Sequence, residues 1–182
     1  MRIVGGIHRG RVFNPGKSFK ARPTTDMAKE SLFNVLQNLV DFENIKALDL
    51  FSGTGSISYE LASRGCSDVT AVEINPVHIQ FIKEVITTLG EKNIRLVKSN
   101  AFVFTKRINE QFDLIFADPP YDHPKFSEVA ELIFKNNLLK PGGLFVLEHS
   151  GQFDYSNHAN FRELRHYGSV HFSLFEEGTT TE

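Results

Sequence analysis

The sequence of 182 residues contains no tryptophan, a single cysteine and no apolar run longer than a β-strand. A membrane helix needs ~20 consecutive apolar residues, so no membrane segment is expected. One cysteine, Cys66, excludes an internal disulfide and is typical of a protein in a reducing cytoplasm. It follows a predicted helix with no His or Cys beside it, which predicts a turn residue rather than a nucleophile. We therefore expect a cytoplasmic protein.

Metal-binding patterns are also missing. The seven histidines show neither HExxH nor a Cys/His spacing, so no metal is predicted. There is no Walker loop and no Gly-x-Ser-x-Gly motif.

The length allows one well-buried core but not two ordinary domains, and 41% hydrophobic with 23% charged residues is typical of a globular protein. We expect a single domain over residues 1–182 and a monomer.

Acidic residues are absent from residues 1–25, which carry Arg2, Arg9, Arg11, Lys17, Lys20 and Arg22. Six of the 20 basic residues lie there, which leaves 14 against 22 acidic residues in the remainder. Because local potential attracts phosphate, a cationic extension on an acidic body favours nucleic-acid binding. Arg9-Gly10-Arg11 and Pro15-Gly16 predict a compact, turn-rich extension. The alternative is a flexible terminus that is only solvated by its charges.

Strand-like and helical patterns alternate after residue 45, which predicts a doubly wound α/β sheet with helices on both faces. Strands are predicted near 45–50, 68–73, 94–98, 113–117 and 142–148. Helices are predicted near 55–64, 75–89 and 124–137, with a short helical piece after Asn100. Residues 161–166 and 169–175 predict an antiparallel edge hairpin. Before this region, 2–13 suggest short strands or a hairpin, and Thr24 or Thr25 can cap a helix through the high thirties.

A glycine-containing loop follows the first predicted strand and is a candidate cofactor site. It comprises Asp49, Leu50, Phe51, Ser52, Gly53, Thr54 and Gly55. Asp49 can fix the loop by accepting hydrogen bonds, and the two glycines permit a tight turn with close ligand approach. Glu73 ends the second strand, where a carboxylate can accept both hydroxyls of a ribose. Ile74 can pack on an adenine face, and Asn100 before Ala101 can reach an adenine edge.

Other interpretations of this loop stay open. A dinucleotide fingerprint has a third glycine where this chain has Ser58, so a dehydrogenase is disfavoured but not excluded. A glycine turn that serves only packing is disfavoured by the position of Glu73. Ile74 is equally consistent with core burial, and Asn100 with a helix cap.

The motif Asp118-Pro119-Pro120-Tyr121 follows a later apolar strand and predicts chemistry on an amino group. The Asp118 carboxylate and the Pro119 carbonyl can accept the two N–H bonds of a planar amine and orient its lone pair. The two prolines fix φ, which stiffens that carbonyl. Tyr121 offers a face on which a base can stack, worth ~1–3 kcal/mol. The competing interpretation is a plain Pro-Pro turn.

Glu148 ends another predicted strand at the same edge of the sheet. It can shape a base pocket or pair with a cation, and the residues alone leave both open. The neighbouring His149 is isolated, which favours a structural or solvent-facing role.

The chain resembles the bacterial 16S ribosomal RNA guanine-N2 methyltransferases of the RsmD family over nearly its whole length. The resemblance is carried by Arg2-Ile3-Val4-Gly5-Gly6, Arg9-Gly10-Arg11 and Arg22-Pro23-Thr24-Thr25-Asp26, followed by Lys29-Glu30 and Leu32-Phe33-Asn34. The cofactor and Asp-Pro-Pro-Tyr motifs then follow in the expected order. Those two motifs are shared by many amino-group methyltransferases, whereas the amino-terminal signature is specific.

The resemblance implies a seven-stranded methyltransferase fold, S-adenosylmethionine as methyl donor and a guanine N2 in 16S rRNA or the small ribosomal subunit as acceptor. RNA contact is then expected from Arg2, Arg9, Arg11, Arg22 and Thr24. Met27 stands where the family commonly has arginine, and Asn100 where an acidic residue is usual. The rival functions are an N6-adenine methylase and a non-catalytic RNA-binding assembly factor.

Overall fold

A computed structural model describes residues 1–16 and 25–178. Its helices are α1 (Asp26–Leu36), α2 (Ser56–Ser63), α3 (Pro76–Leu89), α4 (Ala101–Arg107) and α5 (Val129–Lys135), with 3-10 turns at Phe42–Asn44 and Phe126–Glu128. Its strands are β1 (Lys46–Leu50), β2 (Asp68–Glu73), β3 (Ile94–Lys98), β4 (Phe112–Ala117), β5 (Leu139–His149), β6 (Phe161–Tyr167) and β7 (Val170–Glu176).

The seven strands form one sheet in the order β3-β2-β1-β4-β5-β7-β6. Strands β1 to β5 are parallel, and β7 lies antiparallel between β5 and β6. This confirms the predicted fold class, including the antiparallel edge hairpin. One core cluster packs α1, α2 and α3 on one face, and a second packs α4 and α5 on the other. The chain reverses direction across the sheet between β1 and β4, which is where ligands bind in such folds.

Local sequence explains where the helices near the site begin. The Thr25 hydroxyl accepts a hydrogen bond from the Ala28 amide and caps α1, as predicted for one of the two threonines. Asn75 caps α3 through the Val77 amide, and Pro76 occupies the first turn, where no amide hydrogen is needed. Helix α2 instead begins after Gly55 in a left-handed conformation.

Residues 1–16, the amino-terminal segment, are packed onto the helices. Ile3 and Val4 are buried, and a single bridge pairs Arg2 with Val12. The Val4 amide donates to the Glu60 carboxylate in α2 at 2.9 Å. Buried Lys29 lies 3.6 Å from Glu60 and donates to the Arg2 carbonyl at 2.6 Å. Residues 1–16 of the predicted extension are therefore packed on the core. Residues 1–3 pair antiparallel with residues 10–13 around the one bridge, which agrees with the hairpin and not with separate strands.

The turn of the amino-terminal segment lies at the edge of the sheet opposite the carboxyl ends of strands β1 to β5. The Ile7 amide donates to the Ser63 carbonyl at the end of α2, and the His8 ring contacts Glu91 just after α3. Helices in such a fold run antiparallel to the strands, so their carboxyl ends lie at the opposite edge from the β-strand carboxyl ends. With 14 residues, α3 alone separates the two edges by ~21 Å.

Candidate active site

A cavity of about 390 Å³ opens at the carboxyl ends of β1 to β4. Its wall is formed by Phe51, Gly53, Val72, Glu73, Ile74, Asn75, His78, Ser99, Asn100, Ala101, Phe102, Asp118, Pro120 and His123. The volume is within the range of small-molecule and cofactor sites. It therefore joins the two predicted motifs and Glu73 in one crevice, which we call the strand-end crevice.

The cofactor loop turns sharply into this crevice. Phe51 and Gly53 have positive φ values of 59° and 54°, and such strain in a non-glycine residue is typical of functional turns. A Cβ at Gly53 would meet only the Phe51 carbonyl at 3.8 Å, so space stays open beside it. At Gly55, a Cβ would lie 2.5 Å from the Tyr59 hydroxyl. Gly55 therefore makes room for its own helix, whereas Gly53 lines the crevice.

Glu73 fastens the loop from the neighbouring strand. One carboxylate oxygen accepts the Gly53 amide at 2.8 Å, and the other accepts the amides of Ile74 and Asn75 at 2.9 and 2.7 Å. A carboxylate has about four acceptor sites, so three backbone donors do not exhaust it. The side chain lines the crevice and can still accept a hydroxyl group.

Asp49 has the loop-fixing role predicted for it, with contacts directed away from the crevice. Its carboxylate accepts the Ser58 amide at 3.1 Å and the Ser58 hydroxyl at 2.6 Å. Burial raises the pKa of Asp49 to about 7, and the Ser58 hydrogen bonds oppose that rise. Ser58, at the position where a dinucleotide site has glycine, therefore has a structural use. Ser52 donates to the Asp49 and Val72 carbonyls and ties the same turn.

Three predicted cofactor-binding residues lie together on the crevice wall. Ile74 lines the crevice and is 56% exposed, so its apolar surface is accessible to a ligand. The Asn100 oxygen accepts the Phe102 and Val103 amides at 2.9 and 3.3 Å and caps α4. The cap is thus present, and the Asn100 amide group remains available as a donor. Ala101 follows as the first residue of α4.

The Asp-Pro-Pro-Tyr motif stands at the other side of the crevice. Asp118 and Pro120 line the cavity, and Tyr121 is 42% exposed beyond it. Tyr121 packs edge-on against Phe126, with ring centroids 6.0 Å apart. Burial, then the charges of Glu148 and Asp49, raise the pKa of Asp118 well above its ordinary range. A carboxyl group with such a shifted pKa in a cleft is typical of a functional site.

Three aromatic rings connect loops from different strands. Phe51 contacts Phe102 edge-on at 5.5 Å, and Phe102 stacks on His123 at 4.8 Å with 21° between the planes. Phe51 and His123 come from the loops after β1 and β4, and Phe102 lies in the first turn of α4, which follows β3. Sequence reasoning missed Phe102 and His123, because neither belongs to a motif and their pairing exists only in the tertiary fold.

The predicted site residues divide into two groups. Phe51, Gly53, Glu73, Ile74, Asn100, Ala101, Asp118 and Pro120 line the crevice, while Asp49, Ser52, Thr54, Gly55, Pro119 and Tyr121 adjoin it. Of the lining residues that were not predicted, Asn75 and Ser99 directly neighbour predicted positions at strand ends. Position relative to a strand end was therefore a signal that could have found them.

The predicted RNA-contact residues lie elsewhere. Arg2, Arg9 and Arg11 are exposed in the amino-terminal segment, and Arg22 and Thr24 lie outside the described residues. The Arg2 guanidinium forms an ion pair with the Asp26 carboxylate, with Nε 3.5 Å from Oδ2. Arg11 donates to the Thr88 carbonyl near the end of α3, remote from the crevice. Met27, in the first turn of α1, is exposed and adjoins this segment.

Other features do not form part of the crevice. A shallow groove of about 660 Å³ lies between α1 and β6, and none of its wall residues is a predicted site residue. The Cys66 thiol is buried, which raises its pKa to about 11. Within residues 1–16 and 25–178, no cluster of three His, Cys, Asp or Glu side chains is arranged to hold a metal ion. No helix in the same ranges is long and apolar enough to cross a membrane.

Comparison with known proteins gives a consistent result. A family model described as "Conserved hypothetical protein 95" matches residues 1–176. The chain is 31% identical to the Ribosomal RNA small subunit methyltransferase D of Buchnera aphidicola, over 96% of this chain and 91% of that protein. It is 32% identical to the protein of that name from Escherichia coli, over 81% and 74%. A solved structure of a putative methyltransferase from Escherichia coli superposes with a TM-score of 0.84 at 30% identity, covering 99% of both chains.

Proposed function

Because the chain belongs to the family of ribosomal RNA small subunit methyltransferase D, we propose that it methylates the N2 amine of a guanine in 16S rRNA, with S-adenosylmethionine as donor. The observation that carries the proposal is the strand-end crevice. It brings a cofactor loop, an acidic residue on the next strand and the Asp118 motif to one cavity wall. Relatives named as methyltransferases of small-subunit ribosomal RNA support the choice of substrate.

The residues of the crevice fit a nucleoside-containing donor. Glu73 retains acceptor capacity for ribose hydroxyls, Ile74 offers an exposed apolar face for adenine, and Gly53 leaves open space beside the loop. When bound, S-adenosylmethionine supplies a methyl carbon on a cationic sulfur, so an N–C bond forms as the C–S bond breaks with its electrons going to sulfur. No metal is needed for this transfer.

The Asp118 motif prepares the attacking nitrogen. The Asp118 carboxyl and the Pro119 carbonyl accept the two amine N–H groups, which turns the nitrogen lone pair away from conjugation and toward the methyl group. The prolines hold that carbonyl in place. Tyr121, supported edge-on by Phe126, stacks on the base. As the nitrogen becomes cationic, the Asp118 carboxylate stabilises the charge, and the extra proton then leaves to water.

RNA binding is assigned to the exposed arginines of the amino-terminal segment. Arg2, Arg9 and Arg11 provide positive charge, and the neighbouring Ile7 is 82% exposed. The segment is anchored through the buried Lys29–Glu60 pair and is preorganised for docking. Arg22 and Thr24 are proposed as further contacts on the basis of the family signature. The protein is proposed to act as a monomer on 16S rRNA or the small ribosomal subunit.

An Asp118→Ala variant tests the enzymatic proposal. Small ribosomal subunits from cells lacking this protein are incubated with methyl-labelled S-adenosylmethionine and either wild type or variant. We expect transfer by wild type, and a rate lower by roughly 10²-fold or more in the variant, because Asp118 acts on the reacting nitrogen. Binding of S-adenosylmethionine, measured by calorimetry, shows that the variant is folded. Absence of transfer by both proteins would favour a non-catalytic assembly factor, whereas binding of NADH would favour a dehydrogenase.

A further inference from the structure

Glu148 at the end of β5 stands beside Asp118 on the adjoining strand. Ala117 of β4 is in register with Leu147 of β5, so the next residues, Asp118 and Glu148, are neighbours across the two strand ends. Side chains at matching positions of a sheet point to the same face. The charge of Glu148 also raises the pKa of Asp118, second only to burial. The two carboxyl groups therefore share one environment.

The position of Glu148 is on the acceptor side of the site. The crevice wall comes from the loops after β1, β2, β3 and β4, and Glu148 is absent from that wall. Strand β5 flanks β4 on the side opposite β1. A base held by Asp118 and stacked on Tyr121 lies across the end of β4, with the donor on one side of it. The ring nitrogen beside the held amine is then directed toward the end of β5.

Guanine is distinctive at this ring nitrogen. Among the amine-bearing bases, it alone carries a hydrogen on the ring nitrogen beside its amine; adenine and cytosine carry a lone pair there. An acceptor at this place accepts N1–H of guanine and opposes the other two bases. A site that forms a hydrogen bond with a substrate N–H discriminates strongly, in kcat/KM, against analogues that lack this N–H.

We propose that Glu148 is the base-specificity residue of this site, and that its carboxyl oxygen accepts N1–H of the guanine whose N2 amine is held by Asp118. The proposal rests on the function proposed above and adds the reason for guanine. Glu148 is only 3% exposed, so an acceptor facing a base lone pair there lacks water to relieve the conflict. The same residue therefore disfavours methylation of adenine N6.

A substrate analogue tests this contact in the wild-type protein. The nucleotide that wild type methylates is mapped first. Full-length 16S rRNA is then built by splinted ligation with either guanosine or 2-aminopurine riboside at that nucleotide, and is assayed alone and assembled into small subunits. The analogue keeps the N2 amine but has a lone pair at N1. We expect guanosine to be preferred by about 100-fold or more in kcat/KM. Equal methylation of both RNAs would overturn the proposed contact.

The Glu148→Gln variant provides the second arm. Its neutral amide accepts N1–H of guanosine less strongly than a carboxylate does, so we expect kcat/KM for guanosine to fall about 10- to 100-fold. The amide can also donate to N1 of 2-aminopurine, so we expect the preference to shrink below about 10-fold. Glu84→Gln, on the exposed face of α3, is the matched control and is expected to behave as wild type. S-adenosylmethionine affinity is expected to be unchanged, since Glu148 does not line the crevice.

The outcomes separate this inference from the proposed function. A Glu148→Gln variant that keeps the full wild-type preference would overturn the role of Glu148 and leave the enzyme assignment intact. Absence of transfer to guanosine RNA by wild type would overturn the proposed function and this contact with it. If the variant does not fold, the wild-type comparison of the two RNAs still decides whether the protein recognises N1–H of the guanine.

Discussion

At the scale of single residues, the surroundings of Asp118 determine its chemistry. Burial is the largest cause of its raised pKa, followed by the charge of Glu148 and then that of Asp49. A raised pKa means that Asp118 becomes protonated at a higher pH than an ordinary aspartate. Since the ionised form stabilises the cationic nitrogen better, methyl transfer depends on pH where an exposed carboxylate would not.

We expect kcat/KM to fall on the acid side of the pH profile, at pH values above the range in which an ordinary aspartate titrates. In Asp118→Asn this acid limb is expected to disappear, with a lower, pH-independent rate, because the amide still accepts one N–H bond. In Glu148→Gln the limb is expected to move to lower pH, since one charge that raises the Asp118 pKa is removed. Initial rates measured across pH check both.

The control for this profile is Asp68→Asn at the start of β2, an ion-pair partner of Lys46 at the opposite edge. It is expected to keep the wild-type limb. An acid limb that persists unchanged in Asp118→Asn would assign the titration to another group and contradict the role given to Asp118.

Residue roles differed in how well the sequence predicted them. Glu73 and Asp118 were predictable, since an acidic residue that ends a parallel strand must lie at the ligand-binding edge. The Phe102–His123 stack was not, because it joins the start of α4 to the loop after β4, and these meet only in the folded sheet. Gly55 was predicted for a tight turn, and its φ of 77° fits that turn, while the Tyr59 hydroxyl 2.5 Å from a Cβ at this position adds a packing reason that the sequence did not show.

At the scale of elements, the apolar runs predicted the central strands closely. Strands β2 and β3 match their predicted ranges, since each is a short apolar run between polar turns. Strand β5 extends to residues 139–149, because Pro141-Gly142-Gly143 forms an irregular stretch beside β4 and not a loop. The helix predicted over 124–137 is instead a 3-10 turn followed by α5, which covers only 129–135.

The amino-terminal segment is the element to which we assign RNA affinity. In an Arg9→Ala/Arg11→Ala variant, we expect weaker RNA binding and a salt dependence reduced by about 2 in log–log slope, because two phosphate contacts are lost. S-adenosylmethionine affinity is expected to stay at the wild-type value, since the turn lies ~20 Å from the crevice, about the length of α3. Filter binding to 16S rRNA at several salt concentrations measures the slope.

The matched control is Lys83→Ala/Lys135→Ala, which removes the same charge from exposed positions of α3 and α5. It is expected to change the slope little. An equal loss in both double variants would mean that net charge, and no particular contact from the segment, governs RNA binding.

At the scale of the whole molecule, strand order explains why separate motifs form one site. From β1, strands β2 and β3 are added toward one edge of the sheet, whereas β4 and β5 are added toward the other edge. The loops after the adjacent strands β1 and β4 therefore diverge and leave a crevice between them. Alternating strands and helices predicted this arrangement, and the family resemblance is confirmed. The placement of the amino-terminal turn at the opposite edge was not predictable, because it depends on buried contacts such as Val4 with Glu60.

Mass spectrometry of 16S rRNA nucleosides from cells with and without this protein tests the proposed activity and its product together. We expect one N2-methylguanosine to be lost in the absence of the protein, and wild type to restore it while Asp118→Ala does not. An unchanged N2-methylguanosine content, or the loss of N6-methyladenosine instead, would contradict the proposed activity.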